Sequence, residues 1–150
     1  MLAKAISTFF YIGYLPFIPG TFGSLAGLCL YYFTKNNTFG YILLTVTIII
    51  LGFLFSGKTE KALNTKDARC IVIDEVGGML LAFAFIPYDF KLALLVFFIF
   101  RLLDTFKPYP ANQLQDFKGS LGIMADDIVA GLYTNIIFQV VLRLAHFKIS

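Results

Sequence analysis

Apolar residues fall into long runs separated by short polar segments. Two runs, 39–55 and 128–142, contain no charged residue. Their length approaches the roughly 20 residues that an α-helix needs to cross a bilayer. Two further runs, 71–87 and 91–103, flank the turn-forming sequence Pro87-Tyr88-Asp89-Phe90, a pattern that predicts a helical hairpin.

The first third of the chain follows a weaker pattern. The apolar run 22–34 is short for a full span, so we expect a tilted or re-entrant helix that is partly covered by protein. Residues 2–14 are expected to form a helix along the membrane interface. Pro16 and Pro19 follow this first run in place of a small-residue cleavage site, and we expect the amino terminus to be retained.

Composition agrees with a membrane protein. Hydrophobic residues make up 59% of the 150 residues and charged residues 14%, against about 45–50% and 25% in soluble domains. Because a bilayer requires every backbone group to be satisfied internally, we predict an all-α, polytopic membrane helical bundle. It comprises a single domain, 1–150, with about four to five membrane helices and an interfacial N-terminal helix.

Several small residues are expected to serve packing. Cys29 and Cys70 form no ligand-spaced pair, so we predict neither a disulfide nor a zinc site and expect both thiols to be small buried groups. Gly77-Gly78 and Gly131 are expected to permit close helix packing.

Basic residues orient the bundle. If the segments 22–34, 39–55, 71–87 and 91–103 and the run beginning at 128 all span, loops 13–21, 56–70 and 104–127 share one face. That face carries seven basic residues, which are Lys58, Lys61, Lys66, Arg69, Arg101, Lys107 and Lys118. The opposite face carries four, which are Lys35, Lys91, Arg143 and Lys148. The excess places the first face in the cytoplasm.

Acidic residues cluster on this same face. Asp74 and Glu75 open one predicted helix, Asp104 closes another, and Asp126 and Asp127 open the last. At the start of a helix, a non-helical first residue can turn its carboxylate inward. Carboxylates at membrane depth indicate function, and a set of this kind resembles an oxygen cage for magnesium.

A basic trio accompanies the acids. Arg101, Asp104 and Lys107 recur at i, i+3 and i+6, and Pro108 ends the helix. Arg suits bidentate phosphate recognition and Lys a point-charge contact, so the trio could hold a phosphoryl group beside a metal. The alternative is an Arg101–Asp104 salt bridge at the helix end.

Two glycine-containing segments could supply further phosphate contacts. Thr21 and Ser24 follow Pro19-Gly20 at the start of an apolar helix, where they could bind an anion or simply cap the helix. Gly119 and Gly122 lie in Lys118-Gly119-Ser120-Leu121-Gly122 and could let the backbone approach a phosphate closely.

Neither a histidine or cysteine nucleophile nor a nucleotide-binding loop is indicated by the sequence. The only histidine, His146, stands at the far end of the last helix, and no Arg follows Cys70 where a cysteine phosphatase would need one. The chain also lacks a Gly-rich loop ending in Gly-Lys-Ser/Thr. Carboxylate and metal chemistry remains, with either a metal-activated water or an Asp as the attacking group.

Four motifs, in order along nearly the whole chain, resemble the phosphatidylglycerophosphatase A family. They are Pro19-Gly20-Thr21-Phe22-Gly23-Ser24, Ile73-Asp74-Glu75, Phe100-Arg101-Leu102-Leu103-Asp104 with Lys107-Pro108, and Gly122-Ile123-Met124-Ala125-Asp126-Asp127-Ile128-Val129-Ala130-Gly131. Two positions depart from the family pattern. Ser120 replaces a usual glycine, and Leu114-Gln115 with Asp116 replaces a usual Leu-Asp, so Asp116 is interpreted as a solvated loop acid.

The resemblance implies a magnesium-dependent hydrolase of phospholipid biosynthesis in the bacterial inner membrane. Such an enzyme removes the terminal phosphate from phosphatidylglycerophosphate in the cytoplasmic leaflet, which gives phosphatidylglycerol. We expect Asp74, Glu75, Asp104, Asp126 and Asp127 to surround one or two Mg²⁺ ions. The expected catalytic set is Asp74, Arg101, Asp126 and Asp127, and the expected phosphate contacts are Thr21, Ser24, Arg101, Lys107, Gly119 and Gly122.

Two rival functions use similar acids. CDP-alcohol phosphotransferases also bind metal with aspartates, but their long aspartate motif is not found here. A cation or proton transporter could use the clustered carboxylates as a pathway, although the acids gather on one face. The net charge of +3 is too small and dispersed to indicate nucleic acid. The partner is therefore expected to be the phospholipid substrate, and the oligomeric state stays open.

Overall fold

The computed structural model describes the backbone of residues 1–149 and the side chains of residues 1–144. Over this range the chain is all-helical, which confirms the all-α part of the predicted fold class. The α-helices are α1 (Leu2–Ser7), α2 (Pro19–Thr34), α3 (Thr38–Leu63), α4 (Ile73–Ala82), α5 (Phe90–Phe106), α6 (Ala111–Leu114) and α7 (Ser120–Ile149), with a 3-10 turn at Ile12–Tyr14.

Local sequence sets the ends of the long helices. The Asn37 side chain accepts a hydrogen bond from the Gly40 N–H at 3.0 Å and begins α3. Asp89 does the same for α5 through the Leu92 N–H at 3.0 Å. The predicted break between the two helices is therefore confirmed, but the turn lies at residues 83–85 and not at Pro87–Phe90. Both helices end at a left-handed residue, Asn64 with φ 50° and Lys107 with φ 45°, as is common at helix C-termini.

The short helix α4 lies at the centre of the bundle. Val76, Met79, Leu80 and Ala82 are fully buried, and Ile73 is 1% exposed. α4 packs mainly against α2 and α7, with α3 and α5 completing its surroundings. The other helices are therefore arranged around α4.

α4 ends earlier than the apolar run predicts, at Ala82 instead of near Pro87. The carbonyls beyond this point are satisfied by side chains of neighbouring helices. Tyr31 donates to the Ile86 carbonyl at 2.7 Å, and Asn135 donates to those of Ala82 and Ala84 at 3.1 and 2.7 Å. Because these donors replace intrahelical bonds, the helix can end inside the bundle.

Among the residues that the structure describes, two helices are long and apolar enough to cross a membrane. They are α3 and the portion Ser120–Leu144 of α7. α4 has 10 residues, a length of about 15 Å, which is half of a typical hydrocarbon core of about 30 Å. A count of four to five membrane helices is thus not established by helix length.

Three local predictions are wrong. α7 begins at Ser120, so Asp126 and Asp127 lie inside it; the earlier start buries Ile123 and Met124 in the core. Residues 2–14 form α1 and a separate 3-10 turn, since Phe9, Phe10 and Tyr11 adopt positive φ angles that end a helix. Cys29 is exposed, because it lies on the face of α2 that points away from α4.

Gly78 and Gly131 bring the backbones of α4 and α7 together. A Cβ atom on Gly78 would lie 2.6 Å from the Asp127 carbonyl oxygen, and one on Gly131 would collide with the Gly78 carbonyl. Gly77 differs, because its nearest neighbour would be an Ile49 side-chain carbon at 3.5 Å. The predicted packing role is confirmed for Gly78 and Gly131.

Gly78→Ala should destabilise the protein, whereas Gly77→Ala should not. The first substitution forces two backbones apart and should cost about 1–3 kcal/mol, as overpacking does. The second fits in ordinary contact distance and removes a helix glycine, a gain of about 0.5–1 kcal/mol. Thermal unfolding in detergent checks this pair, and equal melting temperatures for the two variants would contradict the close α4–α7 contact.

Candidate active site

A cleft of about 300 Å³ opens at the end of the bundle where α4 begins and α5 ends. Its walls come from four segments that are distant in sequence. The lining residues are Phe17, Ile18, Pro19, Gly20, Asp67, Arg69, Ile71, Asp74, Glu75, Arg101, Asp104, Lys107, Asp126 and Asp127. All five predicted acids and both predicted phosphate-binding cations therefore line one cleft.

Three carboxylates form the innermost part of the cleft. One oxygen from each of Asp74, Glu75 and Asp127 lies within 4.8 Å of the other two. Asp74 and Glu75 occupy the first turn of α4, where unpaired N–H groups and the helix dipole favour negative charge. Gly78 allows α7 to approach closely enough to bring Asp127 beside them.

Four cleft carboxylates each have one buried oxygen atom with no hydrogen-bond partner among the described residues. They are Asp74 Oδ1, Glu75 Oε2, Asp126 Oδ1 and Asp127 Oδ2. Buried charge is costly unless it is paired or coordinates a metal. A set made only of oxygen ligands fits a hard divalent cation such as Mg²⁺. The donor chemistry of the cleft thus fits the predicted metal.

Two cations at the edge of the carboxylate group are held by acids. Arg101 pairs with Asp104 across one turn of α5, and Lys107 pairs with Asp126 of α7. Although burial opposes the charged form, the hydrogen bond and charge of Asp126, together with the charge of Asp127, raise the pKa of Lys107. Lys107 therefore keeps its positive charge beside the carboxylates.

The cleft has an excess of negative charge. Six acids line it against three bases, which gives a formal charge of −3 if all are ionised. The bases are Arg69, Arg101 and Lys107. An excess of this size in a partly buried space favours the binding of a cation.

Gly20 lets the start of α2 approach the charged groups. A Cβ atom there would collide with Glu75 Oε1 and lie 3.3 and 3.4 Å from the Arg101 guanidinium nitrogens. Ser24 is buried one turn further along; its hydroxyl donates to the Gly20 carbonyl at 3.0 Å and accepts from Arg101 at 3.4 Å. Thr21 is not among the residues that line the cleft.

The model of a protein family described as phosphatidylglycerophosphatase A matches residues 5–142. The chain belongs to the phosphatidylglycerophosphatase A family. This assignment confirms the resemblance drawn from the four motifs, three of which supply five of the six acids and two of the three bases that line the cleft.

Named relatives agree over most of the chain. A phosphatidylglycerophosphatase A of Escherichia coli is 36% identical, over 80% of this chain and 72% of its own. One from Haemophilus influenzae is 32% identical, over 79% and 76%. A protein of Bacteroides thetaiotaomicron named putative phosphatidylinositol-3-phosphatase is 31% identical, over 93% and 92%. No solved structure matches the chain.

The family motif around Gly122 lies partly outside the cleft. Gly119 lines a separate surface pocket with Lys118, and a Cβ on Gly122 would collide with the Phe117 carbonyl. Ser120, which departs from the family pattern, accepts a hydrogen bond from the Gly57 N–H at 2.8 Å. This loop thus joins α7 to α3, and the structure does not bring Gly119 or Gly122 to the acids.

Sequence reasoning missed two charged residues of the cleft. Asp67 and Arg69 lie in the exposed loop between α3 and α4, and both line its rim. The Asp67 N–H donates to a Glu60 carboxylate oxygen at 3.1 Å, which helps to fix the loop. No periodicity or motif marks these residues in the sequence. His146, excluded above as a nucleophile, lies beyond the described side chains.

The opposite end of the bundle has a different chemical character. A cavity of about 330 Å³ there is lined by aromatic and polar side chains, with Lys35 as its charged residue and no acid among the described lining. It lacks the donors that a metal or a hydrolytic reaction on phosphate requires. The carboxylate cleft is therefore the candidate active site.

Proposed function

We propose that this chain is a metal-dependent phosphatase that hydrolyses phosphatidylglycerophosphate to phosphatidylglycerol and phosphate. Membership of the phosphatidylglycerophosphatase A family supports the reaction. The observation that carries the proposal is the gathering of partnerless buried carboxylates beside Arg101 and Lys107 in one cleft. Such a cleft suits a phosphomonoester bound together with a cation.

Asp74, Glu75 and Asp127 would hold the metal, for which we propose Mg²⁺. Their oxygens lie close together and two further acids stand next to them. When bound, the ion supplies neutralisation of phosphate charge and a lower pKa for a coordinated water. Asp104 and Asp126 serve mainly to hold Arg101 and Lys107 in this arrangement and add negative charge around the cation.

Arg101 and Lys107 would bind the terminal phosphate. The Arg101 guanidinium is fixed by Asp104 and by the Ser24 hydroxyl, so it presents its remaining N–H donors to a tetrahedral anion. Lys107 lies at the left-handed end of α5 and places its ammonium against Asp126. The second oxygen of Asp126 has no hydrogen-bond partner among the described residues, and it would accept the proton of the attacking water.

The identity of the lipid head group is proposed from the named relatives. The Bacteroides relative carries the name of a phosphatase for a different phospholipid. Both lipids present a phosphomonoester on the head group of a membrane lipid, so the cleft chemistry serves either one. The enzyme assay should therefore include phosphatidylinositol 3-phosphate as a second substrate.

A transporter remains the alternative function. It would need ionisable groups along the membrane depth. Of the nine acids in the chain, six line the cleft at one end of the bundle, and Asp89 caps α5 at the other end. This distribution favours a hydrolytic site at one surface.

The proposed setting is the bacterial inner membrane, with four to five helices embedded and the cleft facing the cytoplasm. The outer faces of α2 and α5 carry exposed apolar residues such as Phe33 and Phe98, which suits contact with lipid. Phe10 and Phe17 are 74% and 96% exposed in the segment before α2, as expected for an interfacial anchor.

Asp127→Asn and Asp126→Asn test the roles of the carboxylates in the reaction. Neither amide keeps the negative charge or can accept a proton as a base, so we expect at least one variant to lose on the order of 100-fold or more in turnover. The measurement is phosphate release from phosphatidylglycerophosphate at saturating magnesium, after insertion and folding are confirmed. Chelator should abolish wild-type turnover, and magnesium should restore it.

Asp116→Asn is the matched control, since Asp116 is an exposed acid outside the cleft. It should retain the wild-type rate. Near-normal rates for both cleft variants, or full turnover in chelator, would place the active site elsewhere.

The cytoplasmic orientation predicts the accessibility of the loop between α3 and α4. Asn64 is exposed at the end of α3, and basic residues surround it. In a background without the native cysteines, Asn64→Cys should resist an impermeant thiol reagent in intact cells and react after the cells are opened. Labelling from outside intact cells would reverse the orientation.

A further inference from the structure

A further cavity, with an apolar lining, lies between α2 and α5 on the outer surface of the bundle. Its volume is about 220 Å³. Leu28 and Cys29 line it from α2, and Ala93 and Leu94 line it from α5. Cys29 is exposed and Leu94 is 39% exposed, so the cavity opens toward the surroundings of the bundle. We call it the α2–α5 groove.

The groove and the active site lie along the same pair of helices. At the site, α2 and α5 are joined by the bond from Arg101 to the Ser24 hydroxyl. Leu28 and Tyr32 follow Ser24 at steps of four residues on α2, and Leu94 and Phe90 precede Arg101 on α5. At a rise of 1.5 Å per residue, the near end of the groove lies about 6–10 Å from that bond. The far end lies about 12–16 Å from it.

The far end of the groove is closed by aromatic rings and a cation. Tyr32 and Tyr88 meet edge to face with ring centroids 5.2 Å apart. The Lys35 ammonium lies 3.7 Å from the Tyr88 centroid and 4.0 Å from that of Tyr32. These contacts join α2 to the segment before α5, so the groove has a fixed end.

We infer that the α2–α5 groove binds the first part of an acyl chain of the phospholipid substrate. The inference rests on the proposed function, because it requires the phosphate of the same lipid to occupy the Arg101 cleft. A leaflet is about 15 Å deep, half of the hydrocarbon core. The groove therefore lies within one leaflet, at the depth where an acyl chain begins when its head group is in the cleft.

The apolar lining suits this occupant. Burial of methylene groups against Leu28, Ala93 and Leu94 adds binding free energy in proportion to the length buried. A second copy of the chain would cover a broad helix face and not end at the Tyr32–Tyr88 pair. An effect that depends on the acyl chain of the substrate therefore distinguishes a substrate chain from bulk lipid or a partner protein.

Leu94→Trp tests the groove, with Leu95→Trp as its matched control. Leu95 is the next residue of α5, is 55% exposed and does not line the groove. We expect Leu94→Trp to lower kcat/KM for dipalmitoyl phosphatidylglycerophosphate by on the order of tenfold, the effect of about two methylenes losing their burial. Its activity on the deacylated substrate, glycerophosphoglycerophosphate, which has no acyl chain, should stay within about twofold, and Leu95→Trp should leave both substrates unchanged.

The outcomes separate the two claims. If wild-type protein hydrolyses neither substrate, the proposed function fails. If wild-type protein is active and Leu94→Trp and Leu95→Trp behave alike on both the acylated and the deacylated substrate, the groove assignment fails. Cys29→Trp, on the facing helix, gives the same test if Leu94→Trp does not fold.

Cys29 provides a binding measurement that does not depend on turnover. In a Cys70→Ser variant it is the remaining thiol. Dipalmitoyl phosphatidylglycerol should slow maleimide labelling of Cys29 in detergent severalfold, whereas the deacylated head group, glycerophosphoglycerol, at equal concentration should not. Equal labelling rates with the two compounds would overturn the inference.

Discussion

The carboxylates at the start of α4 place the strongest constraint on this fold. Asp74, Glu75 and Asp127 bring negative charge together in a buried position, and some of their oxygens have no partner among the described residues. Such a group is stable only beside positive charge. Arg101 and Lys107, which pair with Asp104 and Asp126, supply part of this positive charge. A divalent cation would supply the rest.

The neighbouring helices surround α4 so that its first turn, which carries Asp74 and Glu75, lies at the cleft. The helix is buried on all sides, and Gly78 lets α7 approach closely enough to deliver Asp127. The cost of a short central helix is a set of free carbonyls at its other end. Tyr31 and Asn135 satisfy several of them, so residues far from the cleft hold the carboxylate end of α4 in position.

Sequence alone could predict those parts of the structure that depend on local pattern. The charge-free runs predicted α3 and much of α7, and the spacing of Arg101, Asp104 and Lys107 predicted their common location. The acids at 74, 75, 126 and 127 were also assigned to one site, and the structure brings them to one cleft.

The remaining features depend on tertiary contacts that leave no local pattern. α4 ends at Ala82 because side chains from α2 and α7 satisfy the following carbonyls, which no window of its own sequence can indicate. α7 begins at Ser120 because its first turns gain burial against the core. Asp67 and Arg69 reach the cleft only through the path of a loop, and the Gly119–Gly122 segment turned out to contact α3 instead of the acids.

Thermal unfolding with and without magnesium tests most directly whether the buried carboxylates share a cation. In chelator, Asp127→Asn should melt at a higher temperature than wild type, because one repelling charge is gone. Magnesium well above its Kd should raise the wild-type melting temperature by roughly 5–10 °C, and that of the exposed-site control Asp116→Asn equally, but should have much less effect on Asp127→Asn. An equal rise for Asp127→Asn, or none for wild type, would contradict a shared cation at this site.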